Sequence, residues 1–224
     1  IQSCHDVVRV VPTDAELMGQ MVDEIASMPV AAIKLGLISH EATLKAAVAI
    51  IRRFPGVPVV ADPVLKAGGG AELSTPELRR QYREQLLPMV DILTPNRAEL
   101  AMLTPECPPS DDDTARAVAL LSLGCQAVLV SATDDPLPGN DHQVLLTLHS
   151  PDNTRQWQWP RLPEPFHGSG CTLASAIAAR LAVGERLLTA CEQAQHFTWH
   201  SLSQGYKPTS GQCLPNRSPR TSRF

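Results

Sequence analysis

The chain has 224 residues, 43% of them hydrophobic, with a formal net charge of −4 at pH 7, which is enough for one domain with a full hydrophobic core. The mild negative charge and the lack of a basic run exclude nucleic acid as the main partner, and every apolar stretch is too short to cross a membrane. The six cysteines are scattered without a C-x-x-C pair, which argues against a zinc site or a disulfide scaffold and predicts a cytoplasmic protein.

The first half of the chain predicts short apolar strands that alternate with helices. We expect strands at residues 7–11, 30–35, 57–61, 91–94 and 127–130. We expect helices at residues 13–28, after 39, at 74–87, after 96 and at 111–123. Ser39, Ser74 and Asn96 are typical helix N-caps, and Glu77 and Glu99 each follow a cap by three residues, as in a capping box.

The second half begins with two strand-like segments, residues 142–149 and 154–159, which predict an antiparallel hairpin because no helix separates them. Two helices should follow, within residues 166–183 and at 185–204. The strand–helix alternation predicts a mostly parallel sheet covered on both faces, whose ligands bind beyond the carboxyl ends of the strands. We therefore predict a single domain over residues 1–215, followed by a flexible tail at 216–224.

The most distinctive stretch is Gly168-Ser-Gly-Cys171, which leads into an apolar helix. Unpaired N–H groups and the positive end of the helix dipole bind anions at such a turn, and the same field favours a thiolate at Cys171. A tight loop feeding a core helix, with Cys171 as a small apolar filler, explains the same residues. An anion hole and simple core packing therefore both stay open at this point.

Polar residues that end apolar strands offer a second candidate site. Asp62 could hold Mg²⁺ directly or through water, but an Asp-Pro turn is the commoner explanation of its position. Asn96 and Glu99 could grip Mg²⁺ and phosphate through water, or could simply cap a helix. These spacings alone do not separate the alternatives.

Histidines and tryptophans carry weaker signals. His167 stands four residues before Cys171, and a pair of this kind could make a thiol nucleophile, although the turn between them is expected to point them apart. His196 and His200 lie four apart without a third ligand, which favours surface or packing roles. The tryptophans of the predicted hairpin are interpreted as packing residues.

Three motifs, in chain order, carry a family resemblance: Asp62-Pro-Val64, Thr94-Pro-Asn-Arg-Ala-Glu99 and His167-Gly-Ser-Gly-Cys-Thr172. They resemble hydroxymethylpyrimidine/phosphomethylpyrimidine kinase, the thiamine-pathway branch of the ribokinase-like family. The resemblance covers about residues 2–215. It implies a ribokinase-like three-layer α/β/α sandwich with a mostly parallel central sheet. The Gly-Ser-Gly-Cys motif is specific, because most ribokinase-like enzymes carry Asp where this branch carries Cys.

The resemblance also implies roles for individual residues. The implied anion hole for the transferring phosphoryl group consists of Gly168, Ser169 and Gly170. Cys171 would stand at the catalytic-base position and activate the hydroxymethyl oxygen of the pyrimidine. The residues implied to hold Mg²⁺ and phosphate, mostly through water, are Asp62, Asn96 and Glu99. The residues implied to bind the pyrimidine are Gln2, Leu37 and Val64.

The sequence departs from the family pattern in three places. The family begins with a strand and a Gly/Ser-rich segment carrying an Asp that contacts the substrate, and both would precede Ile1. Residues 131–135 replace a glycine-containing segment near the nucleotide. Residues 211–215 follow the glycine-rich end of the family only loosely.

The expected activity is ATP- and Mg²⁺-dependent phosphorylation of 4-amino-5-hydroxymethyl-2-methylpyrimidine and then of its monophosphate. The resemblance implies small-molecule partners, ATP and the pyrimidine, and a possible homodimer. A pyridoxal kinase-like activity is one alternative, since some relatives of this branch accept pyridoxal-type rings. A non-catalytic pyrimidine-binding pseudokinase is the other. The departures before Ile1 and at residues 131–135 favour that second alternative, whereas the retained Cys171 argues against it.

Overall fold

The structure, a computed structural model, describes residues 1, 7–66, 70–110, 112–133, 142–208 and 210–218. Within this part of the chain the strands form one sheet. They are β1 (Ile33–Leu35), β2 (Val59–Ala61), β3 (Ile92–Leu93), β4 (Val128–Ser131), β5 (Gln143–Ser150) and β6 (Asn153–Pro160). The helices are α1 (Ala15–Ile25), α2 (Glu41–Arg53), α3 (Pro76–Gln81), α4 (Arg97–Leu103), α5 (Asp113–Ser122), α6 (Ser169–Ala182) and α7 (Leu187–Ser203). A π-helical turn (Tyr82–Leu86) and a 3₁₀ turn (Leu87–Met89) continue α3.

The strands lie in the sheet in chain order, from β1 to β6. Neighbours from β1 to β4 are parallel, and β4, β5 and β6 pair antiparallel. The predicted mostly parallel sheet with an antiparallel hairpin is therefore confirmed. The short parallel strands are mostly apolar, with Lys34 in β1 and Ser131 at the end of β4 as exceptions, because the sheet is covered on both faces.

Two hydrophobic cores lie on the two faces of the sheet. In β2, Val59 and Ala61 join the first core, whereas Val60 joins the second, because successive side chains of a strand point to opposite faces. The first core also contains the buried faces of α2, α3, α4 and α5, and the second contains those of α6 and α7. This arrangement is the three-layer sandwich that the sequence predicts.

The strand expected at residues 7–11 is wrong. Only Val7 makes a bridge-like contact, and Val8 and Val11 are 69% and 64% exposed. These residues find no neighbouring strand among the described residues, and an isolated extended segment has no ladder to stabilise it. Beyond them, α1 follows the predicted helix closely.

Two of the predicted caps are also wrong, each by one residue. The N-cap of α2 is His40, and the Ser39 hydroxyl lies 2.8 Å from the His40 ring nitrogen instead. The N-cap of α3 is Thr75 rather than Ser74, because the Thr75 hydroxyl accepts the Leu78 N–H at 3.1 Å. This choice places Pro76 at the first helical position, where its missing N–H costs nothing.

The chain after α7 folds back onto the loop that precedes α6, and we call residues 210–217 the C-terminal strap. The Asn216 N–H donates to the Ser201 carbonyl at 2.8 Å, and the Arg217 guanidinium donates to the Thr172 hydroxyl at 2.9 Å. The first residues of the predicted tail are therefore held by hydrogen bonds, and residues 219–224 lie outside the described part. No helix in the described ranges combines the length and the apolarity that a membrane crossing needs.

Candidate active site

The Gly168–Cys171 turn forms the N-terminus of α6. Gly168 is the N-cap residue, with φ +83°, a left-handed conformation that glycine adopts at little cost. It has no side chain to cap the helix, so the first-turn N–H groups remain directed outward. Leu173, Ala174 and Ile177 bury the following turns in the second core. The turn thus fits both interpretations, core packing and an anion hole, because the helix packs on the core while its N-terminus is uncapped and can accept an anion.

A cavity of about 600 Å³ opens in front of this turn. Its wall brings together residues that are far apart in the sequence. Among the predicted site residues it includes Asp62, Val64, Asn96, Glu99, Gly168, Ser169, Gly170 and Cys171. The sheet therefore brings the polar strand ends and the glycine turn to one place, as a parallel topology predicts.

Asp62 follows β2 directly and is only 5% exposed. The Cys171 side chain lies beside its carboxylate, and the Lys34 ammonium lies 3.6 Å from its Oδ2 atom. Burial raises the pKa of Asp62, while the Lys34 charge and, more weakly, the Cys171 thiol act in the opposite direction. Gly170 also faces this carboxylate, because a Cβ atom added to Gly170 would lie 3.8 Å from Asp62 Oδ1.

Cys171 does not behave as the helix dipole alone predicts. Burial raises the pKa of its thiol, the neighbouring Asp62 carboxylate raises it further, and the charges of Lys34 and Arg217 lower it. Partial burial of the thiol and the Asp62 carboxylate thus oppose the thiolate that the helix end favours, although Cys171 as a whole residue is exposed. The charged groups that act on the pKa of this thiol are Asp62, Lys34 and Arg217.

Asn96 and Glu99 form a complete capping box at the start of α4. Asn96 Oδ1 accepts the Glu99 N–H at 2.8 Å, and Glu99 Oε2 accepts the Asn96 N–H at 3.0 Å. Glu99 Oε1 also accepts the Leu65 N–H at 3.3 Å, and the side chain is 6% exposed. The helix-cap reading is confirmed. Each carboxylate oxygen has a second lone pair, so capping does not exhaust the acceptors of Glu99.

The residues implied to bind the pyrimidine do not all lie in the cavity wall. Val64 lines the cavity, whereas Leu37 is 38% exposed and is not part of the cavity wall. Gln2 lies outside the described residues. At the altered segment, Ser131 and Thr133 line the cavity, and residues 134–135 lie outside the described part.

Three further residues belong to the site although the sequence analysis gave none of them a role there. Trp159 and Trp199 line the cavity with their rings 6.1 Å apart, and Trp159 donates to Gln195 at 3.0 Å. The interpretation of Trp159 as packing alone is thus too narrow. Arg217 reaches the glycine turn from the C-terminal strap. No local pattern could reveal these contacts, because each joins distant segments of the chain.

Comparison with known proteins identifies the family. A model of the phosphomethylpyrimidine kinase family matches residues 1–216. The chain belongs to the phosphomethylpyrimidine kinase family. Among curated members of this family, the hydroxymethylpyrimidine/phosphomethylpyrimidine kinase of Rhizobium meliloti is 33% identical over 215 residues, which cover 94% of this chain and 79% of that protein.

Solved structures share the fold of this phosphomethylpyrimidine kinase family member. Pyridoxal kinase from Staphylococcus aureus in complex with ADP superposes with a TM-score of 0.83 at 22% identity, covering 96% of this chain and 77% of that one. Phosphomethylpyrimidine kinase from Clostridium difficile gives a TM-score of 0.71 at 23% identity, covering 86% and 78%. The predicted family, its phosphotransferase class and the ribokinase-like fold are confirmed.

Proposed function

We propose that this protein transfers a phosphoryl group from ATP to 4-amino-5-hydroxymethyl-2-methylpyrimidine and then to its monophosphate, in thiamine diphosphate synthesis. One observation carries the proposal: the uncapped N-terminus of α6 opens into the cavity, whose wall brings Cys171 together with the buried Asp62. The family supplies the substrate class. A cavity of about 600 Å³ is in the range of small-molecule sites.

In this scheme the glycine turn stabilises the negative charge on the phosphoryl group during its transfer. Phosphoryl transfer depends on positioning and charge stabilisation more than on covalent help. Backbone N–H groups of Ser169, Gly170 and Cys171 are fixed by α6 before substrate arrives, so they need no reorganisation during the reaction.

Cys171 accepts the proton of the substrate hydroxyl as its oxygen attacks the γ-phosphorus. The bond from the γ-phosphorus to the ADP oxygen breaks, and the thiolate becomes a thiol. The raised pKa of Cys171 means that the thiolate is a minor form at neutral pH, so turnover should rise with pH. Lys34 and Arg217 favour the thiolate and limit this penalty.

The residues present fit a Mg²⁺ ion. Asp62 Oδ2 is buried without a hydrogen bond among the described residues and has only the Lys34 ammonium at 3.6 Å; Asp62 belongs to the cavity wall together with Asn96 and Glu99. Oxygen donors of this type, acting partly through water, suit Mg²⁺. Asp62, Asn96 and Glu99 would hold the ion, which when bound supplies positive charge to the phosphates.

The nucleotide ring belongs in the apolar part of the cavity, where Trp159, Trp199 and Leu202 line the wall. Aromatic faces and aliphatic side chains provide the large, rigid surface that a purine needs. We also place the reaction in the cytosol, since the five described cysteines are free thiols. A homodimer stays a prediction.

The test is direct. Incubation with ATP, Mg²⁺ and the pyrimidine alcohol should give products one and then two phosphates heavier by mass spectrometry. Cys171→Ala should abolish most product, while Cys107→Ala, which removes a half-exposed free thiol elsewhere, should not. Product from pyridoxal alone would favour the pyridoxal kinase alternative. Nucleotide and pyrimidine binding without any product would favour the pseudokinase.

A further inference from the structure

The C-terminal strap is hydrogen-bonded to the loop that precedes the glycine turn and to the last turn of α7. The Cys213 N–H donates to the Pro165 carbonyl at 2.8 Å, and the Cys213 carbonyl accepts the His167 N–H at 2.9 Å. The Asn216 N–H donates to Ser201, in the last turn of α7, at 2.8 Å. These backbone bonds fix the strap beside the loop that leads into α6, so the residue after Asn216 is delivered to the turn.

That residue is Arg217, and its guanidinium bridges both ends of the turn. Its Nε atom donates to the Thr172 hydroxyl at 2.9 Å, and its Nη2 atom lies 3.5 Å from the Gly168 carbonyl. The Thr172 hydroxyl in turn donates to the Gly168 carbonyl at 2.7 Å. A Cβ atom on Gly168 would lie 2.8 Å from Nη2, so the guanidinium fills the space that this glycine leaves.

Arg217 also improves the charge balance around the turn. Asp62 and Glu99 give the cavity wall two formal negative charges, and Arg161 gives it one positive charge, with Lys34 beside Asp62. Positive charge close to the turn favours polyphosphate binding. Arg217 adds such a charge close enough to act on the Cys171 thiol, where it opposes the effect of burial on the pKa.

We propose that Arg217 is a positioning residue for the anion hole, which holds Gly168 and Thr172 so that the N–H groups between them stay directed at the phosphoryl group. The inference rests on the proposed kinase reaction. A preorganised hole stabilises the transition state more than the bound substrates, so the residue should affect kcat more than KM. Lysine has a point charge without the planar fork and should replace Arg217 only in part.

The experiment compares Arg217→Gln, Arg217→Lys and Thr172→Val, with Arg52→Gln as the control for loss of one positive charge at an exposed site in α2. Arg217→Gln should lower kcat by about tenfold, less than the loss of a direct oxyanion donor, with KM for ATP and for the pyrimidine within about twofold of the unchanged protein. The kcat of Arg217→Lys should lie between that of Arg217→Gln and that of the unchanged protein, and Arg52→Gln should leave kcat unchanged.

The double variant Arg217→Gln/Thr172→Val separates positioning from a general structural role. Because the two side chains act through one contact, its kcat should be close to that of the slower single variant. Effects that simply multiply would overturn the inference. An unchanged kcat in Arg217→Gln, or an equal loss in Arg52→Gln, would overturn it as well.

Failure of the proposed kinase reaction has a different signature, because the unchanged protein would then form no product. Binding of inorganic phosphate, followed by the intrinsic fluorescence to which the cavity residues Trp159 and Trp199 contribute, decides the role of Arg217 in that case. Arg217→Gln should raise the Kd for phosphate by about tenfold on the same grounds, and Arg52→Gln should not. Equal Kd values for the two variants would refute the positioning role.

Discussion

Replacing Gly168 by alanine tests the glycine turn, and Gly184→Ala provides a matched control at the other end of α6. The two glycines have φ values of +83° and +84°. Alanine should therefore pay the same backbone penalty at both positions, about 1–2 kcal/mol. For a chain of this size that corresponds to a fall in Tm of about 2–4 °C for each kcal/mol.

The surroundings of the two glycines differ. A Cβ at Gly168 would lie 2.8 Å from the Arg217 Nη2 atom, whereas a Cβ at Gly184 would have nothing within 4 Å. Because Nη2 ends a flexible side chain, it can move away, so the extra cost in unfolding free energy at Gly168 should be small. Its displacement would, however, release the Thr172 contact and loosen the anion hole.

Thermal unfolding and steady-state kinetics on the two variants check this reasoning. Both should lose similar stability, and only Gly168→Ala should lose turnover, by at least the tenfold expected for Arg217→Gln. Equal turnover in the two variants would refute the role of the turn. A loss of Tm at Gly168 several times that at Gly184 would refute the claim that Arg217 moves away cheaply.

Three further changes test other parts of the structure. Cys171→Ala should lower kcat by about 100-fold or more while ADP binding, measured by calorimetry, is retained; unchanged turnover would remove the thiol from the base position. Burial lowers the pKa of His149, which is 2% exposed, so protonation favours the unfolded state, and the free energy of unfolding should fall as the pH drops below the ordinary value of 6.5. Urea titrations between pH 7 and 5 should show a smaller fall for His149→Gln; equal slopes would contradict this. Gly205→Ala would place a Cβ 2.8 Å from the Leu202 carbonyl and 2.9 Å from the Leu214 carbonyl, so denaturant unfolding should show a loss of about 1–3 kcal/mol, and a neutral result would mean that the strap moves freely.

The sequence predicts most of the fold because its signals are local. Apolar runs such as residues 57–61 are short and end in turn residues. A continuous apolar run of this kind is enough to predict a parallel strand that is buried on both faces. Caps are harder to place, since Ser74 and Thr75 can both cap a helix, and the position of Pro76 decides between them. The strand expected at 7–11 fails because strand formation depends on a neighbour that no local pattern reveals.

The site is predictable to a smaller extent. The family motifs place Asp62, Asn96, Glu99 and the glycine turn together, and the cavity contains all of them. The pKa of the Cys171 thiol is raised by burial and by a carboxylate 109 positions earlier in the chain. No spacing rule in the sequence predicts that two residues so far apart are neighbours. The sequence predicts a loose tail at Arg217, because the contacts that order this residue, with Thr172 and Gly168 and through the backbone of the strap, join segments far apart in the chain.

The Asp62–Cys171 contact joins the two halves of the sandwich. Strand β2 packs Val59 and Ala61 into the first core and ends in Asp62, whereas Cys171 belongs to α6, which is packed on the second core. A slip of less than an ångström between the layers would change the distance between these two side chains. Enlarging or shrinking a side chain deep in either core should therefore slow catalysis as well as weaken the fold, so turnover reports on how the two layers are aligned.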